Sequence, residues 1–227
     1  MSSDLYYEEF GYGFPLILLH GNGEDHMYFK YQIEYFSREY RVIAIDTRGH
    51  GRSPRGDGEF TLSRFADDLY MFMTAHGMEK AHILGFSDGG NIALIFALRH
   101  PDMVGRLILN GANIDPSGVK RRIQIPIELG FRIASKFVEK SEDARLNAEI
   151  LGLMVNEPHI SPDELKKLNM PVLVIAGTHD MIKRSHTELI AHSITGACLK
   201  YIKGDHFIAM VNPEDFNRAV DEFLKEQ

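Results

Sequence analysis

The segment Gly85-Phe-Ser87-Asp-Gly89 sets a serine between glycines two residues before and two residues after it. It follows the apolar run His82–Phe86 and opens a stretch of helical character from Asn91. A side chain displayed on so sharp a strand-to-helix turn needs a strained backbone and neighbours almost free of side-chain atoms. Gly85 and Gly89 meet that demand, and Gly90 lets the helix pack closely. The plainer alternative is a glycine-rich turn with an incidental serine. A serine hydroxyl is a weak nucleophile that needs a general base, and the base needs an acid to orient it. Asp180 stands a short Gly177-Thr-His loop after the strand-like run Val172–Ala176. His206 lies in Gly204-Asp-His-Phe, just past Leu199–Ile202, and is the one histidine of 11 in the loop after the last strand-like run. A surface-loop histidine is the bland reading of it. The order is nucleophile Ser87, acid Asp180, base His206. Asp115, near the end of the preceding strand, is the competing acid.

A fourth loop completes the pattern. His20-Gly-Asn-Gly23 comes directly after the apolar run Leu16–Leu19. There the backbone N–H of Asn22 is placed to bind a developing oxyanion, with the N–H of Asp88 as the second donor. A tight turn without chemistry is the alternative. All four loops fall at carboxyl ends of expected parallel strands, where open α/β sheets bind ligands.

The elements that must position these loops are legible as alternation. Leu16–Leu19, Val42–Ile45, His82–Phe86, Leu107–Leu109 and Val172–Ala176 are apolar at consecutive positions, as strands buried on both faces require. Leu62–His76, Asn91–His100 and Arg184–Ser193 have helical length and spacing, and Asn212-Pro213 starts a last helix with proline at its first position. Leu5–Phe10 is expected as an antiparallel edge strand. The expected class is α/β, a doubly wound and mostly parallel sheet. The alternation breaks between Asn113 and Leu168, where Ile123–Val138 and Ala144–Val155 are helical and Ser161-Pro-Asp-Glu164 has capping-box spacing. The expected division is a core domain of residues 1–112 and 169–227 with a helical cap insertion of 113–168.

Composition narrows the function. A net charge of −7 over 227 residues leaves no clustered basic footprint for a nucleic acid. The densest basic cluster, Lys120-Arg121-Arg122, reads as a solvated helix start. The single cysteine, Cys198, excludes an intrachain disulfide framework and reads as a buried, inert thiol. No apolar run approaches the roughly 20 residues of a membrane span, and the first residues lack the pattern of a signal peptide. A cytoplasmic protein without a membrane partner is expected. His179 beside Asp180 lacks companions at ligand spacing, so no metal is expected, and the 10 methionines read as core filler.

Across nearly its whole length the chain resembles the α/β-hydrolase superfamily. The signposts are Leu18-Leu-His-Gly21, Asp46-Thr-Arg-Gly-His-Gly-Arg-Ser53, Gly85-Phe-Ser-Asp-Gly-Gly90, Pro171–Gly177 with Asp180, and Gly204-Asp-His206. The resemblance implies hydrolysis of a small-molecule carboxylic ester through an acyl-serine intermediate, with no cofactor and with the Asp46–Ser53 loop structural. Ser-Asp-Gly-Gly and Asn110-Gly-Ala-Asn113 look like the valacyclovir-hydrolase branch, which cleaves esters of α-amino acids. By that likeness Asp88 would receive a substrate ammonium; a helix-stabilising carboxylate is the alternative. Phe86, Ile127 and Phe131 are the other side chains expected against the substrate. The same triad would serve a cofactor-free perhydrolase, a C–C bond hydrolase, an acyltransferase or a slow-turnover ligand-binding receptor.

Overall fold

A computed structural model describes residues 5–226. Among them the strands are β1 (Tyr7–Phe10), β2 (Pro15–Leu19), β3 (Arg41–Ile45), β4 (Ala81–Phe86), β5 (Val104–Asn110), β6 (Val172–Gly177) and β7 (Cys198–Ile202). The helices are α1 (Lys30–Phe36), α2 (Leu62–Ala75), α3 (Asp88–Arg99), α4 (Arg121–Ala134), α5 (Glu142–Asn156), α6 (Arg184–Ser193), α7 (Ile208–Val211) and α8 (Pro213–Lys225). The strands form one sheet in the order β1-β3-β2-β4-β5-β6-β7. Only the β1–β3 pair is antiparallel, with Tyr7 opposite Ile45, and every other pair is parallel.

The consecutive apolar runs divide by the strand period of two. Ile17, Leu19, Ile43, Ile45, Ile83 and Leu107 face one side, where α2, α3 and α6 cover them. Leu16, Leu18, Val42, Ala44, Leu84 and Ile108 face the other, against α1, α7 and α8. Burying each such side chain stabilises the fold by roughly 1.5–3 kcal/mol, which is why central strands without polar positions still form a unique sheet. Helix starts are set locally. Thr61 caps α2 by accepting from the Arg64 amide at 3.1 Å, Ser141 caps α5 at Ala144 N, and Pro213 opens α8.

Between β5 and β6 the chain leaves the sheet, and α4 and α5 pack on one another there. The interval is only partly a lid. Ile114, Leu153, Leu165 and Leu168 from within it belong to the core on the α2–α3 side of the sheet. On α4 the expected apolar surplus is split between faces. Ile127 and Phe131 are half-buried, whereas Leu129 and Ile133, 57% and 52% exposed, point outward, as does Phe137 just past the helix.

Two expectations are corrected. The solvated helix start holds for Arg121 and Arg122, exposed at the first turn of α4, but not for Lys120, which is half-buried and whose ammonium donates to the Asp180 carbonyl oxygen. Cys198 is half-buried rather than buried, because it begins β7, the edge strand, which has a neighbour on one side only. Among the described residues no helix is long and apolar enough to cross a membrane.

Candidate active site

Ser87 directly follows β4 and caps α3 with φ 53° and ψ −119°, the one described non-glycine residue with positive φ. Such a backbone costs on the order of 1–3 kcal/mol and persists only where its surroundings impose it. They do so here. The Ser87 amide donates to the Asn110 carbonyl of β5 at 2.8 Å. A Cβ at Gly85 would lie 2.2 Å from the Gly89 carbonyl oxygen, and one at Gly89 would lie 2.1 Å from that of Leu19. The flanking glycines are therefore steric requirements of the turn.

Three loops bring Ser87, His206 and Asp180 together. His206 Nε2 stands 3.0 Å from Ser87 Oγ, and His206 Nδ1 stands 2.7 Å from Asp180 Oδ1. A carboxylate only accepts, so Nδ1 carries the proton and Nε2 presents its lone pair to the hydroxyl. Asp180 is 4% exposed and is held as well as holding: Oδ1 also accepts from Ile182 N at 2.8 Å, and Oδ2 from Gly177 N at 3.3 Å. Glycines again make the room. A Cβ at Gly111, where φ is +62°, would press to 2.7 Å of the His206 ring, and one at Gly177 would overlap the Asp205 carbonyl. Asp115, the competing acid, is turned elsewhere. Its oxygens engage Ser117 N at 2.8 Å and His159 Nδ1 at 3.2 Å.

The loop after β2 is anchored by a histidine whose role the sequence reading missed. Burial pushes His20 down to about 4, so its ring is neutral near pH 7. Its Nε2 accepts from Thr47 N at 3.0 Å, so Nδ1 carries the proton and donates to the Gly21 carbonyl at 2.7 Å. In a trans peptide the N–H is antiparallel to the C=O, so fixing that carbonyl aims the Asn22 N–H away from the anchor. This amide donates to no protein acceptor among the described residues. The Asp88 amide opens α3, where a helix has no internal acceptor for it. Glu24 was also missed. Its Oε2 accepts from Gly21 N at 3.1 Å, and burial pushes its carboxyl up to about 7, against the pull of nearby His206. Both signals depend on tertiary packing; a histidine before glycine is the only trace in the sequence.

Phe86, expected against the substrate, is 1% exposed. Its ring stacks on Tyr28 at 4.2 Å and lies 4.8 Å from the His206 ring, so it supports the histidine from below. Ile127 and Phe131 lie on the half-buried face of α4, with the Phe131 ring close to Gly152 of α5. Asp88 is 8% exposed, and each of its oxygens accepts an amide, from Asn22 Nδ2 at 2.8 Å and Asn91 Nδ2 at 3.2 Å. Burial pushes its carboxyl up, while those two donors pull it down.

Among the described residues, the donor atoms of Asp25, His26 and Asp46 lie within 4.8 Å of one another, close enough for a metal. They are already committed. Asp46 accepts from His26 N, His26 Nδ1 and Arg52 N, and Asp25 accepts from Met27 N. With Ser53 Oγ donating to the Asp46 carbonyl, these bonds make the Asp46–Ser53 loop a buried polar staple.

Residues 15–132 match the model of the alpha/beta hydrolase fold family. RutD of Caulobacter sp. (strain K31), named as a carbamate hydrolase, is 30% identical over 92% of this chain and 90% of its own length. The human serine hydrolase BPHL is 27% identical over 97% of this chain and 83% of its own. Among solved structures, a thermophilic esterase from Thermogutta terrifontis superposes with a TM-score of 0.81 at 26% identity, over 97% of this chain and 93% of that one. These relatives differ in the activity their names state, yet they agree with this chain along nearly its whole length. What they hold in common identifies it: the chain belongs to the α/β hydrolase fold family and is a hydrolase.

Proposed function

We propose that the protein hydrolyses small-molecule carboxylic esters, with Ser87 as nucleophile, His206 as general base and Asp180 orienting the histidine. The observation that carries this reading is the hydrogen-bonded series Ser87–His206–Asp180, at 3.0 and 2.7 Å, ending on a serine held at positive φ. His206 Nε2 takes the hydroxyl proton as Oγ attacks the ester carbonyl. The oxyanion forms against the amides of Asn22 and Asp88. The resulting imidazolium, steadied by Asp180, protonates the leaving alcohol, and water attacks the acyl-serine by the same route in reverse. Ile127 and Phe131 are assigned to the apolar part of the substrate. The sequence of steps needs no cofactor.

The same residues would cleave other activated acyl bonds, and the carbamate hydrolase named above widens the substrate range to test. A panel of esters varying in acyl length and amino substitution, with carbamates beside them, should show turnover highest on esters. Ser87→Ala should fold and keep less than about one hundredth of native kcat, since losing one member of such a triad costs far more than that. A folded Ser87→Ala protein above that level removes Ser87 as nucleophile.

A further inference from the structure

Asp88 adjoins the nucleophile, and its two carboxylate oxygens face different parts of the molecule. Oδ2 accepts from the Asn22 side chain, and Oδ1 from the Asn91 side chain. Backbone groups fix the orientation of both amides. Asn22 Nδ2 also donates to the Ile150 carbonyl of α5 at 3.0 Å, which only accepts. Asn91 Oδ1 accepts from Asn113 N at 2.9 Å, which only donates, so Asn91 Nδ2 is left for Asp88 and for Asn113 Oδ1 at 3.1 Å. The group between Asn22 and Asn91 must therefore accept through both of its oxygens. A carboxylate does this, and a side-chain amide cannot. Asp88, Asn91 and Asn113 are all under a tenth exposed, so their hydrogen bonds are costly to break.

We propose that the Asp88 carboxylate is a positioning group for the oxyanion donor: it holds the Asn22 side chain, and through that side chain the direction of the Asn22 amide. The inference rests on the assignment of that amide to the oxyanion. The Gly21–Asn22 peptide is tied on one side by His20 at its carbonyl. Asp88 ties it on the other, beyond Asn22 Cα, so the dihedrals on both flanks of the donor are restrained. Ile150 adds the cap helix to the same junction, so that α5, the loop after β2 and the serine turn meet at one amide. This accounts for an aspartate beside the serine without a cationic substrate. An ammonium approaching Asp88 would meet a carboxylate that is 8% exposed and already bonded through each oxygen.

The test uses Asp88→Asn, Asn22→Ala and the double variant, each with its backbone amides intact, on a matched pair of esters, L-alanine ethyl ester and ethyl propionate. Asp88→Asn should lower kcat at least about tenfold, and by the same factor on both esters, with KM within about threefold of native. Loss of a whole oxyanion donor costs about 10²–10³ in kcat, and a misdirected one costs less. Asn22→Ala should behave alike, and the double variant should fall no further than the worse single one, because one tie is being cut twice. A trifluoromethyl ketone, which forms an oxyanion on the serine, should bind each variant more weakly by the factor lost in kcat; a merely structural role would leave that affinity unchanged. Losses confined to the alanine ester, losses that multiply in the double variant, or a native kcat in either folded single variant would overturn the proposal. Should Asp88→Asn fail to fold, Asn22→Ala alone decides, since Asn22 is half-exposed and tolerates truncation. A Ser87→Ala protein that stays active would sink the ester-hydrolase reading. Native kcat in Asn22→Ala, with Ser87→Ala inactive, would sink this inference only.

Discussion

Each oxygen of Asp180 is bonded to a backbone amide, and one of them also to the His206 ring. That arrangement makes the acid at this position hard to replace even by its isostere. In Asp180→Asn the side-chain NH₂ must face Gly177 N or Ile182 N, donor against donor, or else turn toward the His206 Nδ1 proton. On the Gly177 side the amide oxygen still accepts from His206 but carries no charge to steady the imidazolium; on the other side the NH₂ displaces the ring or forces the tautomer in which Nε2 no longer offers a lone pair to Ser87. A fall in kcat of roughly a thousandfold or more is expected, on the scale of tautomer loss in other such triads. Asp115→Asn, in a residue engaged with Ser117 N and an exposed His159, should leave kcat within about threefold of native. Steady-state kinetics on one ester separates the two. A large loss in Asp115→Asn beside a mild one in Asp180→Asn would move the acid to the earlier strand.

Secondary-structure elements carried most of what could be read from the chain alone. Five of the seven strands are continuous apolar runs, and β1 falls within Leu5–Phe10, where an antiparallel edge strand was expected. Because both faces of the central strands are covered, hydropathy alone locates them, and the loops at their carboxyl ends follow. Ser87, His206 and Asp180 were therefore legible although they stand 119 and 26 residues apart in contacting pairs. The features that stayed hidden need tertiary partners to have meaning. His20 looks like part of a glycine turn until Thr47 and the Gly21 carbonyl settle its tautomer. Lys120 looks solvated until the chain after β6 brings the Asp180 carbonyl to it. Phe86 looks like a pocket wall until Tyr28 covers it. Gly111 belongs to the same group and gives a prediction at this scale. It follows β5 at φ +62°, with the His206 ring where its Cβ would be. Gly111→Ala should displace the ring and lower kcat at least about tenfold while thermal unfolding shows a folded protein, the added strain being on the order of 1–3 kcal/mol. An Ala variant with native kcat would mean that the ring has room to yield.

At the scale of the molecule, the interval between β5 and β6 is joined to the core on several sides. Arg55, in the loop after β3, makes a two-point ion pair with Glu149 of α5 at 2.6 and 2.9 Å, and next to it the Ile150 carbonyl receives the Asn22 side chain. Glu157, just past α5, accepts from the Leu62 amide at the start of α2 at 2.8 Å. Through Asn22, α5 thus bears on a loop beside Ser87, and substrate preference is expected to depend on α4 and α5 together with the loops at the carboxyl ends of the strands. Whatever that preference is, the proposed chemistry depends on one activated serine. Its most direct test is to treat the protein with a fluorophosphonate, which phosphonylates only a serine served by a base, and to locate the adduct by peptide mass. With Ser87 as nucleophile, one adduct per chain is expected, on Ser87, formed at a rate that falls sharply in His206→Ala. No adduct on folded protein, or an adduct on another serine, would contradict it.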